Sequence, residues 1–360
     1  MDKAKTVYFV CPKFHGYEDK IRSTLQAKGL RVYSFFYDET AIINFPVHKK
    51  VIGSFFFMMR LLFNANKKLL AKVNGIINGL KDFDELNSAL LGNFEEALQS
   101  NKKGKFDYIL VIKGFGLNQQ IIKTFKANVV PNNFILYQWD SLSRFPNVIE
   151  NYRWFDVVWT FEEDDVKLFP GSMFYPTFFL PIQVGHSEEY FKDELKNIEG
   201  YSDKNRAELI YIGTFNIPRF LRLYKIARRL DKFKVSYFFY LWVKGKKPLV
   251  RFKRITMSTR SIRPELTYYL YSKSKGIFDI GHKGQLGLTT RAYEAVFLNK
   301  KLVTEYKLDP GSLKDVLNSD FNLSLEEFIE KRAAITDSAP NIRLISQLSL
   351  ESWVDKILCL

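Results

Sequence analysis

Short, almost continuously apolar runs recur along this chain, each followed by a stretch with helical spacing. In the first half they are TVYFVC from Thr6, RVYSFFYDE from Arg31, DYILVIKG from Asp107, FILYQWD from Phe134 and VVWTF from Val157. Helical material fills Glu18 to Lys28, about 50 to 100, and 118 to 127. A strand covered on both faces carries no polar alternation, so this pattern predicts a mostly parallel sheet with helices on either side. The same grammar resumes with ELIYIGT, VSYFFYLWV, GIFDI and KLVTEY, separated by predicted helices at about 218–231, 264–272 and 290–298. The chain therefore reads as two Rossmann-like α/β halves.

At 360 residues the chain exceeds what one hydrophobic core usually supports, which agrees with two domains. Between about 170 and 207 the pattern becomes irregular, with Pro170, Gly171, Pro176, Pro181, Gly185 and Gly200. The expected division is an N-terminal domain over 1–183, a linker over 184–207 and a second domain over 208–340. A C-terminal helix over 341–360 follows. Ile342, Ile345, Leu348, Val354, Ile357 and Leu358 give that last segment an amphipathic face, suited to packing back across both halves.

The N-terminus, MDKAKTVYFVC, passes directly into a strand with no apolar core and cleavage site, so no secretion signal is expected. Cys11 and Cys359 have no metal-ligand spacing, which fits a reducing cytoplasm. The longest apolar run, Val51 to Phe63, is broken by Arg60 and falls short of the ~20 residues of a spanning helix. Lys49, Lys50, Lys67 and Lys68 flank it, so it suits either an interfacial element or a helix buried beneath the first sheet.

A net charge of +15 attracts nucleic acid, an anionic membrane or a phosphorylated substrate, and equally describes a solvated lysine-rich surface. Lys244, Lys246, Lys247, Arg251, Lys253 and Arg254 lie beside the aromatic run YFFYLW. Without a nucleic-acid-binding motif, these residues read as a solvated rim or a contact for acidic lipid headgroups, and no nucleic-acid partner is expected.

The segment from Gly276, GIFDIGHKGQLGLTTRAYEAVFLNKKLVTEY, carries the densest chemistry. A strand ending at Ile280 is followed by Gly281, Gly284 and Gly287, and Thr289 or Thr290 can cap the next helix. Ligands collect at the carboxyl ends of strands in open α/β sheets, and a helix N-terminus offers free N–H groups to phosphate. Arg291 and Glu294 are three apart on one face of that helix. One suits phosphate and the other ribose hydroxyls, and the same pair can simply support the helix.

The run QLGLTTRAYEAVFLNKKLVTEY resembles the donor-site segment of bacterial GT-B-fold glycosyltransferases of cell-envelope biosynthesis, including the lipopolysaccharide and capsule proteins of the CgeB-like group. YILVIKG, ILYQWDS, FDVVWTFEEDDVKLF and ELIYIGTFNIPR extend the resemblance over both halves. It implies an α/β protein of GT-B-like fold, with two Rossmann-like domains and an interdomain cleft. Its activity would be sugar transfer from a nucleotide-sugar donor to a lipid-linked or oligosaccharide acceptor, at the cytoplasmic face of the membrane, with no cofactor and no required metal. An alternative is a glycan- or envelope-binding protein that keeps the fold without transfer.

Carried over by position, Glu294 would accept ribose or sugar hydroxyls. Arg291 and the Gly287, Leu288, Thr289 and Thr290 backbone would lie near the diphosphate, and Gln285, next to Leu286, could replace a carboxylate there as a hydrogen-bonding group without supplying charge. Gly213, Thr214 and Arg219 of the GTFNIPR loop would approach the donor from the second domain's first strand. A carboxylate expected eight positions before Glu294 is replaced by Leu286, which leaves retaining or inverting stereochemistry open. In the first domain, His15 and Glu18 follow strand TVYFVC as catalytic candidates, and His282 competes with them. Lys113 and Gly114 form a tight turn with Gly116, and Trp139, Asp140 and Ser141 suit gripping an acceptor sugar ring.

Overall fold

The computed structural model describes residues 4–14, 16–38, 72, 73, 76, 77, 82–142, 145–180, 187–198, 207–243, 254–280, 288–305, 321–336 and 346–359. They divide into two units: Met1–Thr177 with Leu350–Leu360, and Phe178–Gly281 with Leu288–Ser349. The runs Val51 to Phe63 and Lys244 to Lys253 lie outside the described residues, as do His15, His282, Gln285, Leu286 and Gly287.

The first unit is one six-stranded sheet with helices between its strands. Its strands are β1 (Thr6–Pro12), β2 (Arg31–Tyr37), β3 (Tyr108–Ile112), β4 (Phe134–Gln138), β5 (Val157–Thr160) and β6 (Ser172–Phe174). Every pairing is parallel in the order β2-β1-β3-β4-β5-β6, with Val7 facing Val32 on one side and Tyr108 on the other. The helices are α1 (Tyr17–Ala27), α2 (Asp84–Ser100), α3 (Gln119–Ala127), the short α4 (Ile149–Tyr152) and α5 (Glu163–Leu168). β1 is buried along its whole length, as an inner strand of a doubly covered sheet must be. Tyr8, Phe94, Phe106 and Phe125 pack into one aromatic cluster between sheet and helices, with Tyr8 and Phe94 edge-on at 4.9 Å. The Asn118 side chain accepts the Ile121 N–H at 2.9 Å and fixes the start of α3.

The second unit holds α6 (Glu188–Lys196), β7 (Leu209–Thr214), α7 (Ile217–Lys232), β8 (Tyr237–Trp242), β9 (Thr256–Ser258) and α8 (Pro264–Ser272). β10 (Gly276–Asp279), α9 (Thr290–Leu298), β11 (Lys301–Thr304), β12 (Asn322–Ser324) and α10 (Leu325–Lys331) complete it. Its sheet is parallel throughout in the order β12-β11-β10-β7-β8-β9. Both faces are packed: Phe238 and Tyr240 of β8 enter one core, Phe239 and Leu241 the other. The range expected as a linker contains α6, whose Phe191 and Leu195 are buried in the first of these cores.

The C-terminal segment forms α11 (Leu350–Leu358), which belongs to the first unit; Trp353 lies edge-on to Tyr137 at 4.8 Å and Lys28 pairs with Asp355. The expected helix over 341–360 is described from Ser346: Ser346 and Gln347 are helical, a turn at Leu348 and the bridge of Ser349 to Phe179, whose N–H donates to the Leu348 carbonyl at 3.1 Å, interrupt it, and α11 follows. Among the described residues no helix is long and apolar enough to cross a membrane.

Candidate functional site

In each sheet the chain winds outward in one direction from its first strand, then returns to wind in the other. The reversal falls between β1 and β3 in the first unit and between β7 and β10 in the second. Neighbouring strand ends diverge at such a point and leave a crevice at the carboxyl edge, where ligands of doubly wound sheets bind. The sequence-predicted residues that are described lie near the carboxyl edges of these two sheets.

In the second unit, Thr289 caps α9: its hydroxyl accepts the Arg291 N–H at 3.2 Å and donates to Asp279 Oδ2 at 2.8 Å. Asp279 ends β10. Arg291 then reaches across the reversal point, donating from Nε and Nη2 to the Ile212 carbonyl of β7 at 3.1 and 2.7 Å. Its Nη1 donates to Asp279 Oδ1 at 3.2 Å; with side-chain exposures of 17% for Arg291 and 4% for Asp279, the ion pair is buried at its carboxylate end and partly buried at the guanidinium. The guanidinium lies over the Tyr211 ring, 4.6 Å from its centroid. Burial opposes the guanidinium charge, but Tyr211, Tyr271, Asp279 and Glu294 outweigh it and the net shift of its pKa is upward.

Gly213 is what lets the guanidinium lie there. A Cβ at this position would sit 2.7 Å from the Tyr211 hydroxyl and 2.8 Å from Arg291 Nη2. The Tyr211 side chain is fully buried, and its hydroxyl has no hydrogen-bond partner among the described residues. The Tyr211 hydroxyl is thus an unsatisfied buried polar group beside the guanidinium. Glu294 is 5% exposed and close to Tyr268, Tyr271 and Arg291. Leu288 is buried in the core below, and Thr290 opens the helix.

Arg219 folds back so that Nη1 donates to the Thr214 carbonyl, while its backbone N–H donates to Asn216 Oδ1 at 2.9 Å. The loop between β7 and α7 is thereby held by its own side chains.

In the first unit, Lys113 follows β3 with φ 71° and Gly114 with φ 61°, two successive left-handed residues. The Lys113 N–H donates to the Tyr137 carbonyl at 2.8 Å and the Gly114 N–H to the Ile112 carbonyl at 2.9 Å. A non-glycine residue held left-handed costs of order 1–3 kcal/mol and is kept where the surroundings enforce it. Here the turn brings Lys113 Nζ to 2.7 Å from Asp140 Oδ2 and 4.4 Å from the Phe145 ring centroid. Trp139 completes an aromatic group with Phe14 and Tyr17, the rings 5.8 to 6.1 Å apart.

Behind this turn Asp165 is 2% exposed. It accepts the Leu142 N–H at 2.9 Å and the Ser141 and Thr160 hydroxyls at 3.5 Å, tying α5 to the loop that carries Trp139 and Asp140. Burial pushes its pKa up to about 7, opposed by the Leu142 N–H and reinforced by Glu162. Ser141 is thus bound to a buried carboxyl. Glu18 is also buried, and its Oε2 accepts the Phe14 N–H at 2.8 Å, so it holds the loop after β1.

Phe14, Tyr17, Phe145, Asp165, Tyr211, Tyr271 and Asp279 were not among the residues singled out by sequence. Asp279 carried a signal, a carboxylate closing an apolar strand; the aromatic residues did not stand out in a chain with 33 Phe and 19 Tyr.

No protein-family model matches this chain, and no curated protein matches it either. Among solved structures it is similar to an α,α-trehalose-phosphate synthase (UDP-forming) from Burkholderia vietnamiensis, at 10% identity over 99% of this chain and 97% of that one, TM-score 0.58. The corresponding enzyme from Burkholderia xenovorans, solved with glucose-6-phosphate, shares 10% identity over 98% of each chain with a TM-score of 0.60. A second structure from Burkholderia xenovorans gives 12% identity, coverage of 99% and 98%, and a TM-score of 0.53. At this identity the likeness defines the fold: an α/β protein of GT-B-like fold built from two Rossmann-like units.

Proposed function

We propose that this protein is a glycosyltransferase that moves a sugar from a nucleotide-sugar donor to a lipid-linked or oligosaccharide acceptor in cell-envelope glycan synthesis. The donor binds the second unit and the acceptor the first. What carries the reading is the convergence of Tyr211, Gly213, Asp279, Arg291 and Glu294 at the strand reversal of the second sheet. The fold, shared with synthases that are UDP-forming, supports it. The sequence resemblance to lipopolysaccharide and capsule enzymes supports the choice of pathway.

In this mechanism the diphosphate meets the N–H groups at the start of α9 and the Thr214 side chain, and Glu294 accepts ribose hydroxyls. Arg291 acts one layer behind. Its fixed positive charge lies beside the developing charge of the leaving diphosphate and costs no reorganisation during reaction. The acceptor ring stacks on Trp139 and Phe14, with Asp140 held by Lys113 to receive its hydroxyls. No metal is required.

The test is calorimetry with uridine, guanosine, thymidine and cytidine diphosphate sugars on the wild type and Glu294→Ala. At least one donor should bind the wild type, and loss of the charged ribose contacts should weaken it roughly 10- to 100-fold at about 1.5–3 kcal/mol for a hydrogen bond to a charged group. Binding of none of the four, or equal affinity in the variant, refutes the assignment.

A further inference from the structure

The outward face of α7 has no place in the chemistry above. Leu223, Ile226, Ala227 and Leu230 are buried against the second sheet. On the opposite side Ile217, Leu221, Lys225, Arg228 and Lys232 fall within an arc of about 80°, a stripe ~22 Å long. Ile217 is 56% exposed and Leu221 53%, one helical turn apart on this face. Lys225, Arg228 and Lys232 are exposed as well.

The other ionic groups around this helix have partners. Arg222 pairs with Glu305, Arg229 with Glu326, and Asp231 with Arg254 and the Tyr237 hydroxyl. Among the described residues no carboxylate pairs with Lys225, Arg228 or Lys232. The stripe therefore presents two solvated aliphatic side chains followed by three uncompensated cations in a line.

We propose that this face of α7 docks on an anionic lipid bilayer, with Ile217 and Leu221 entering the headgroup–acyl boundary and Lys225, Arg228 and Lys232 meeting lipid phosphates. A bilayer complements both halves of the stripe, whereas a nucleic-acid backbone or an acidic peptide complements only the cations. The surface is independent of the transferase reading, since it uses no residue of the proposed donor or acceptor sites.

Sedimentation of the full-length protein with vesicles tests it, comparing phosphatidylcholine alone with phosphatidylcholine containing about one part in three phosphatidylglycerol. The wild type should sediment with the anionic vesicles only. The triple variant Lys225→Gln/Arg228→Gln/Lys232→Gln should lose on the order of 100-fold in partitioning, at about 1 kcal/mol per cation. Leu221→Ser should lose roughly tenfold while the salt dependence is kept. Thermal melts of both variants, expected to match the wild type, separate loss of docking from loss of folding. Failure of the wild type to sediment, equal binding to neutral vesicles, or unchanged binding of either variant overturns the proposal. The last outcome with Leu221→Ser alone assigns the stripe to polyanions in general.

Discussion

Replacing Arg291 by Met removes the tie between the two strands that flank the reversal point of the second sheet. The side chain contributes three hydrogen bonds, two on the Ile212 carbonyl and one on Asp279 Oδ1, besides its contact with the Tyr211 ring. Asp279 is then left with the Thr289 hydroxyl as a remaining donor to its carboxylate, at a side-chain exposure of 4%. Breaking a buried pair by removing one partner costs about 3–5 kcal/mol, because the surviving charge stays buried without its counterion. For a domain of this size each kcal/mol moves the melting temperature by about 2–4 °C, so the second unit should melt on the order of 10 °C lower. Circular dichroism melts of Arg291→Met, Asp279→Asn and the double variant measure this. The double variant should be more stable than the sum of the single costs implies, since no orphaned charge remains. A melt of Arg291→Met within ~2 °C of wild type would refute the structural role of the guanidinium.

Asp165 makes a prediction in pH. Its carboxyl sits at about 7 in the folded chain against 3.8 when free, mainly because burial penalises the ionised form. Stability linked to a raised pKa is fully present below pH 3.8 and is lost as pH rises through 7; at about 1.4 kcal/mol per unit the loss approaches about 4 kcal/mol. Asp165→Asn keeps an acceptor for the Leu142 N–H without the charge, so its denaturation midpoint should stay flat over this window while that of the wild type falls; parallel profiles would contradict the assignment. Gly213→Ala places a methyl group against Tyr211 and Arg291 and should cost about 1–3 kcal/mol in urea unfolding together with weaker donor binding. An unchanged midpoint would show that the turn has room to spare.

The long inner strands and their helices were legible because burial on both faces leaves an uninterrupted apolar run, as in TVYFVC and DYILVIKG. The helix expected at 290–298 is α9, and of the two threonines offered as its cap the structure uses Thr289. β6, β9 and β12 were missed. Each has three residues and lies at the edge of its sheet, where short strands are the rule and three residues carry no readable period. α6 was hidden by its charge: in EEYFKDELK only Phe191 and Leu195 face the core, four residues apart in a segment flanked by turn signals.

Arg291 shows where spacing stops being informative. Its place three residues before Glu294 set both side chains on one face of α9, but spacing within a helix says nothing about what the neighbouring strand ends offer. The guanidinium found the Ile212 carbonyl, freed where β7 reaches the carboxyl edge, and the Asp279 carboxylate at the end of β10. Both lie in the sequence only as the last residues of apolar runs. Lys113 and Asp140 follow the same logic, each just beyond the end of an inner strand and 27 positions apart, joined because β3 and β4 are neighbours in register. In both units a cation and a carboxylate meet at adjacent strand ends with aromatic rings against the cation. Such pairs are positioned by topology, and their sequence trace is a charged residue at the end of a run of apolar ones. Asp279 carries that trace as plainly as Lys113 and Asp140 do, and the parallel order of the strands is what turns it into a partner for Arg291.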